Sequence, residues 1–250
     1  MDSGLYAAYT GLMARTQALD TTANNLANVG TNGFRAQHDY FQRLVAGSQE
    51  TGLDSQVSQS VNGFGLLGGN HLDFSQGHLS PTGNPLDIAI QGDGFFAVKT
   101  PKGVLYTRNG NFSLSSDGTL EASNGEPVMD VNQQKIVIPS GTIHVSSDGN
   151  ISVSTAEGSA IVAKLGVFQF ASPDELNAEG ADQLSAATGA KPSVSDATVI
   201  QGVVEGSNED AVHGSLQLVL IQRQAEMMQK AMSVFNNDLD KTAAEELSRV

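Results

Sequence analysis

The 250-residue chain contains no cysteine and no tryptophan. Without thiols there is no disulfide framework and no cysteine-ligated metal site. Basic residues are also few: 13 Lys and Arg stand against 27 Asp and Glu, for a net charge of −14. A surface that tracks phosphates needs clustered basic side chains. Here they are scattered along the chain, which argues against nucleic acid or an anionic membrane as partner. No apolar run approaches the ~20 residues that a bilayer-spanning helix requires. Met1–Asp2–Ser3–Gly4 lacks the basic and apolar regions of a cleaved secretory signal. By the general export routes the chain therefore reads as cytoplasmic.

What is present falls into three regions. From Leu5 to Leu26, the positions Leu5, Tyr9, Leu12, Thr16, Leu19, Ala23 and Leu26 step by four and three, with leucine at every seventh place. That spacing predicts a helix that packs along another helix. Asp2 and Ser3 can cap its start and Gly30 and Gly33 can end it. At the far end Leu218, Ile221, Ala225, Met228, Met232, Phe235 and Leu239 repeat the pattern, with Leu220, Met227 and Val234 beside them. This apolar face is broader than one partner helix covers, so the two terminal helices call for neighbours. The His213–Gly214 pair predicts a kink or a late start to the second helix.

Between the helices the pattern changes to short β-runs separated by turn dipeptides. Phe95–Lys99 and Val104–Arg108 flank TPKG, and Asn109–Gly110 before Asn111–Leu114 is a strong two-residue hairpin signal. Asp117–Gly118, Asn124–Gly125 and Asp148–Gly149 mark further turns. Lys135–Pro139, Thr142–Val145, Ile151–Val153 and Ile161–Phe170 are strand candidates. Phe95, Phe96, Phe112, Phe168 and Phe170 are expected to supply core bulk, and Gly92–Asp93–Gly94 a tight turn ahead of them. Gln49–Asn62 reads as a linker and Ala171–Ala197 as a loop-rich stretch. The expected fold class is α+β: terminal helices pairing as a coiled-coil-like arm, around a central antiparallel β-domain. The expected division is residues 1–35 for the N-terminal helix, 36–70 for an extended linker, 71–204 for the β-domain and 205–250 for the C-terminal helix.

No catalytic constellation assembles. His71, Asp73 and His78 do not hold a common face as metal ligands, because His78 lies beyond Gly77. Asp117–Gly118 and Asp148–Gly149 lack the further carboxylates of a calcium loop. There is no GxSxG elbow, and the glycine-rich GFGLLGG at 63–69 has no strand-to-helix context for phosphate. Neither a catalytic residue nor a cofactor, metal or small-molecule substrate is expected.

The asparagines at the end of the first helix are unusual, since this residue competes with helix backbone. Asn24 and Asn28 share a helix face, and Asn25 lies about 100° round from Asn24. They are either the solvated amides of a fraying helix end or lateral hydrogen-bonding groups between helices of adjacent subunits.

ANNLANVGTNGFRA (23–36), LDIAIQGDGFFAV (86–98), YTRNGNFSLSSDGTLEASNGEPV (106–128) and GVVEGSN (202–208) together resemble the signature blocks of the flagellar rod and hook axial proteins. They occur in family order and span most of the chain. Gly30, in place of a common asparagine, and Glu209, in place of valine, depart from the pattern. Within the family the chain is most similar to the proximal-rod members, with distal-rod and hook-type subunits next. The resemblance implies a structural, non-enzymatic subunit that polymerises helically through its terminal helices into a torque-transmitting shaft around an export channel. The implied partners are further copies, other rod proteins and the flagellar type III export apparatus, which replaces a cleaved signal and places the product in the basal body. The assembly interface is then expected at Leu5, Leu12, Leu19, Asn24, Asn25, Leu26 and Asn28 of the first helix. On the second it is expected at Leu218, Ile221, Met228, Met232, Phe235 and Leu239. A secreted cell-wall-acting enzyme and a stalked adhesin are the rival classes. The first needs paired acids or a metal and the second an anchor, and the sequence displays neither.

Overall fold

In the computed structural model the described backbone covers residues 2–42, 66–180 and 182–247. Side chains are described over the same stretches except at 2–8, 41–42, 66–68, 173 and 235–247. The expected linker Gln49–Asn62 lies outside the described residues.

The two periodic ends form helices, α1 over Asp2–Ala27 and α2 over Ala211–Leu247. The alternating middle forms short strands. In chain order these are β1 (Gln37–Gln42), β2 (Leu66–Leu72), β3 (Leu79–Pro81), β4 (Ile88–Gln91), β5 (Phe95–Thr100) and β6 (Gly103–Thr107). Next come β7 (Ser113–Leu114), β8 (Leu120–Glu121), β9 (Thr142–Val145), β10 (Asn150–Thr155), β11 (Gly158–Lys164) and β12 (Val167–Gln169). The series ends with β13 (Leu176–Ala178), β14 (Gln183–Ala186), β15 (Ser193–Val194), β16 (Thr198–Gln201) and β17 (Val203–Glu205).

The chain divides into two compact units. The first holds α1 as far as Leu26, the β1–β2 pair as far as His71, and α2. The second holds Ala27–Ala36 and Leu72–Asp210, a body of antiparallel sheets. Its largest sheet has the order β13-β14-β6-β5-β12-β15, and a three-stranded sheet has the order β11-β10-β9.

β5 explains why this body has two cores. Side chains alternate across a strand, so Phe96 and Val98 enter a cluster with Ile88, Ile90, Phe112 and Leu165. Phe95 and Ala97 enter another with Tyr106, Phe168, Leu176 and Leu184. Both faces of the FFAV run are buried, as its continuous apolarity requires.

TPKG keeps its turn, with Thr100 paired to Gly103 across it. Several local expectations change. Asn109–Gly110 is not a hairpin turn. Ile88 N–H donates to Gly110 O at 2.9 Å and Asp87 bridges Asn111, so this segment lies beside β4. The Asn109 amide donates to Asp182 at 2.7 Å. These long-range partners outweigh the local preference of the dipeptide. Ala171–Ala197 is more regular than its composition suggests, because β13, β14 and β15 join the large sheet. Lys135–Pro139 makes only isolated bridges, and Ile161–Phe170 breaks at Leu165–Gly166 between β11 and β12. The aspartate–glycine and Asn124–Gly125 turns form as expected, each closed by an N–H to a carbonyl three residues back.

Candidate functional site

In the first unit, exposure along α1 shows which face the chain itself covers. The buried positions are Gly11, Ala14, Ala18, Thr22 and Asn25, a line of small side chains stepping by three and four. The leucine seam is rotated away from it: Leu12, Leu19 and Leu26 are half-buried, while Tyr9, Thr16 and Ala23 are exposed. On α2 the covered line is Gly214, Leu218, Ile221, Ala225, Met228 and Met232, with Gly214 inside the helix rather than delaying it. Val212, Leu216, Val219, Leu220, Met227 and Val234 lie roughly half a turn round and are 46–68% exposed. α2 therefore has one line that the chain covers at least in part and a second apolar face that it leaves exposed, whereas α1 has a buried small-residue line, a half-buried leucine seam, and Tyr9 and Met13 exposed. The side chains of Leu5, Phe235 and Leu239 lie outside the described residues.

The crowded asparagines separate into different roles. Asn25 is buried, its amide donating to Gln37 O at 2.8 Å and its oxygen accepting from Gln37 N–H at 3.0 Å. One side chain thus reproduces both bonds of a strand pairing and ties β1 to α1. Asn28, beyond the helix end, accepts from the Thr31 hydroxyl at 3.3 Å, and Asn24 is exposed. Arg15, Thr22 and Asn25 of α1, Asp39 of β1 and Ile221 of α2 border one open cavity of about 340 Å³. Burial pushes the Asp39 carboxyl above its usual range, against the opposing hydrogen bond from Thr21. Asn25→Ala leaves both Gln37 backbone groups unpaired and is expected to cost about 1–3 kcal/mol. Faster amide hydrogen exchange at Gln37, with the β-body's melting unchanged, is the measurement that checks it.

In the second unit the four sequence blocks meet at a buried charge cluster. Glu205, at the end of β17, has no exposed surface. Its Oε1 accepts from Arg35 Nη2 at 2.5 Å and from Gly77 N–H at 2.9 Å, and its Oε2 from Arg108 Nη1 at 3.1 Å. Arg108 also donates to Gly92 O at 2.7 Å and stands 5.2 Å from the centre of the Phe95 ring. Burial pulls the Arg108 pKa below its usual value, with the Glu205 charge as the main opposing force. The backbone repeats the connection, since Gly33 N–H donates to Glu205 O at 2.8 Å. Asn208 completes it: its oxygen accepts from Ala36 N–H and its amide donates to Asp73 O, both at 2.8 Å.

This cluster is a stitch: it fixes the irregular segment 33–36 to the β-body. Sequence reasoning passed over Arg35, Arg108 and Glu205, because burial of isolated charges leaves no periodic trace. The available signal was that the first and last blocks each carry a single charged residue, Arg35 and Glu205, and that Arg108 is the one basic residue of the third. Among the described residues, no group of three or more His, Asp or Glu is placed to hold a metal ion. Nor is any described helix long and apolar enough to cross a membrane.

Comparison with known proteins adds to this geometry. Residues 5–35 match the family described as flagella basal body rod protein, and residues 89–153 the flagellar hook protein FlgE/F/G D1 domain. The flagellar basal-body rod protein FlgF of Mesorhizobium japonicum is 36% identical over 227 residues, covering 89% of both chains. That of Caulobacter vibrioides is 33% identical over 256 residues, covering both chains fully. The rod protein FlgG of Bacillus subtilis is 31% identical over 237 residues, 88% of this chain and 89% of its own. With both ends of the chain, its β-body and its full length accounted for by these relatives, the chain belongs to the flagellar basal-body rod protein family.

Proposed function

We propose that the chain is a structural subunit of the bacterial flagellar rod, in which α1 and α2 pair as a coiled-coil-like arm. Arms of successive copies form the inner tube around the export channel, and the β-body lies outside it. The observation that carries this reading is the apolar face that the chain itself leaves exposed on each helix: Tyr9 and Met13 on α1, Leu220 and Met227 on α2. Stacked copies would cover both faces, which a lone chain leaves in water. The relatives named FlgF at 36% and 33% identity favour the proximal rod as its place. Subunits reach the rod through the flagellar type III apparatus without loss of a signal segment, and their partners are further copies and other rod proteins.

Leu220→Asp tests the division of faces. Leu220 is 58% exposed in the chain, so the purified variant is expected to keep its helical circular dichroism. An aspartate buried between copies costs several kcal/mol, so its incorporation into isolated basal bodies is expected to fall by about a hundredfold. Ile221→Asp, on the covered face, should lower the helical signal of the free chain as well. Rods assembled at wild-type yield from Leu220→Asp would overturn the assignment.

A further inference from the structure

The β1–β2 pair of the first unit carries side chains that none of the contacts above uses. The ring of His38 stands 5.9 Å from that of His71, centroid to centroid, and a Cβ on Gly69 would lie 3.1 Å from the Tyr40 hydroxyl oxygen. His38 is thus opposite His71 and Tyr40 opposite Gly69, an antiparallel register. Side chains alternate along a strand. Asp39 is half-buried and accepts from Thr21 of α1, whereas His38, Tyr40 and His71 are all exposed.

Two imidazoles side by side on a strand face are a donor set that divalent transition metals select. When both bind one tetrahedral ion at Zn–N distances of about 2.1 Å, their centroids lie roughly 5–6 Å apart. The observed separation already has that value. The ring planes are inclined at 47° rather than stacked face to face. Each exposed ring carries a nitrogen on either side of its tip, and a half-turn about its last side-chain bond exchanges the two edges. The sheet also has a use for such an ion. β1 and β2 form a two-stranded sheet, which has marginal stability by itself.

We propose that His38 and His71 chelate a divalent transition-metal ion, zinc or copper, which staples β1 to β2. The two imidazoles fill two coordination positions and water fills the rest. Magnesium and calcium, which require oxygen donors, do not suit the pair. The site is independent of how the helices assemble.

Calorimetric titration of the full chain with Zn²⁺ tests it, alongside NMR of the histidine rings. One ion per chain is expected, with the His38 and His71 ring resonances shifting together. His38→Gln and His71→Gln should each weaken binding by about tenfold, through loss of the second, intramolecular ligand. The double variant should bind little more weakly than either single one, since either change already breaks the chelate. His213→Gln should leave the affinity unchanged. Cu²⁺ should bind more tightly than Zn²⁺, and Mg²⁺ should give no signal. With free Zn²⁺ at about ten times its Kd, amide exchange along β1 and β2 should slow by about tenfold, and neither single variant should show this. Undiminished binding in either single variant, losses that simply add in the double variant, or unchanged exchange on saturation overturns the proposal.

Discussion

Glu205→Ala is expected to destabilise the β-body by about 3–5 kcal/mol, because it strands two guanidinium groups that burial has already stripped of water. Arg35 and Arg108 are each under 5% exposed, and the Glu205 carboxylate is the anion bonded to both. A loss of that size lowers the melting temperature of a body this large by roughly 10 °C, readable by scanning calorimetry. Glu205→Gln should cost less than Glu205→Ala. Both variants lose the charge, but the Gln oxygen can still accept from Gly77 N–H and Arg35 and its bulk leaves no cavity, so the difference between them reports those retained bonds and packing together. Arg35→Met removes one cation but leaves Glu205 paired to Arg108, and should fall below Glu205→Ala in cost. A loss under about 1 kcal/mol for Glu205→Ala would place it among ordinary surface changes and refute the stitch.

How much was legible in advance depends on the range of the forces involved. Periodicity reported what each segment does locally: the helical ends, the strands at Thr142–Val145 and Ile151–Val153, and the glycine turns at 118, 125 and 149 are all in place. The leucine seam of α1 was also readable as apolar, but not as the face that the chain leaves half uncovered. A helix with two apolar faces gives a single heptad signal, and only neighbouring elements decide which face is covered first. Here the small line through Ala14 and Ala18 is the covered one. Asn109–Gly110 failed as a hairpin for a related reason, since a partner 73 residues away holds the asparagine. The stitch was least visible. Arg35 and Glu205 are 170 residues apart, and nothing in the composition distinguishes a buried charge from a solvated one. The family resemblance marked the blocks that carry them, and the structure supplies the reason those blocks stand together.

Gly33→Ala is the second large effect, and it separates two glycines that the sequence treats alike. Both Gly30 and Gly33 follow α1 and read as helix terminators, yet the helix ends at Ala27 and closes through Thr31 N–H to Asn28 O. Gly30 adopts no left-handed conformation, and a Cβ there would meet nothing within 4 Å. Gly33 has φ +72°, and its Cβ would lie 2.2 Å from the backbone nitrogen of Asn109. The left-handed backbone alone costs an alanine about 1–2 kcal/mol, and forcing a methyl against main chain adds about 1–3 kcal/mol. Retreat is blocked, because Gly33 N–H is tied to Glu205 O and the next residue, Phe34, is buried. The expected total is therefore about 3 kcal/mol or more for Gly33→Ala, against a change within about 0.5 kcal/mol for Gly30→Ala. Parallel melts of the two variants decide it. Near-equal melting temperatures would mean that segment 33–36 is not seated against Asn109, whereas a large gap would place the glycine's purpose in this close approach and not in ending the helix.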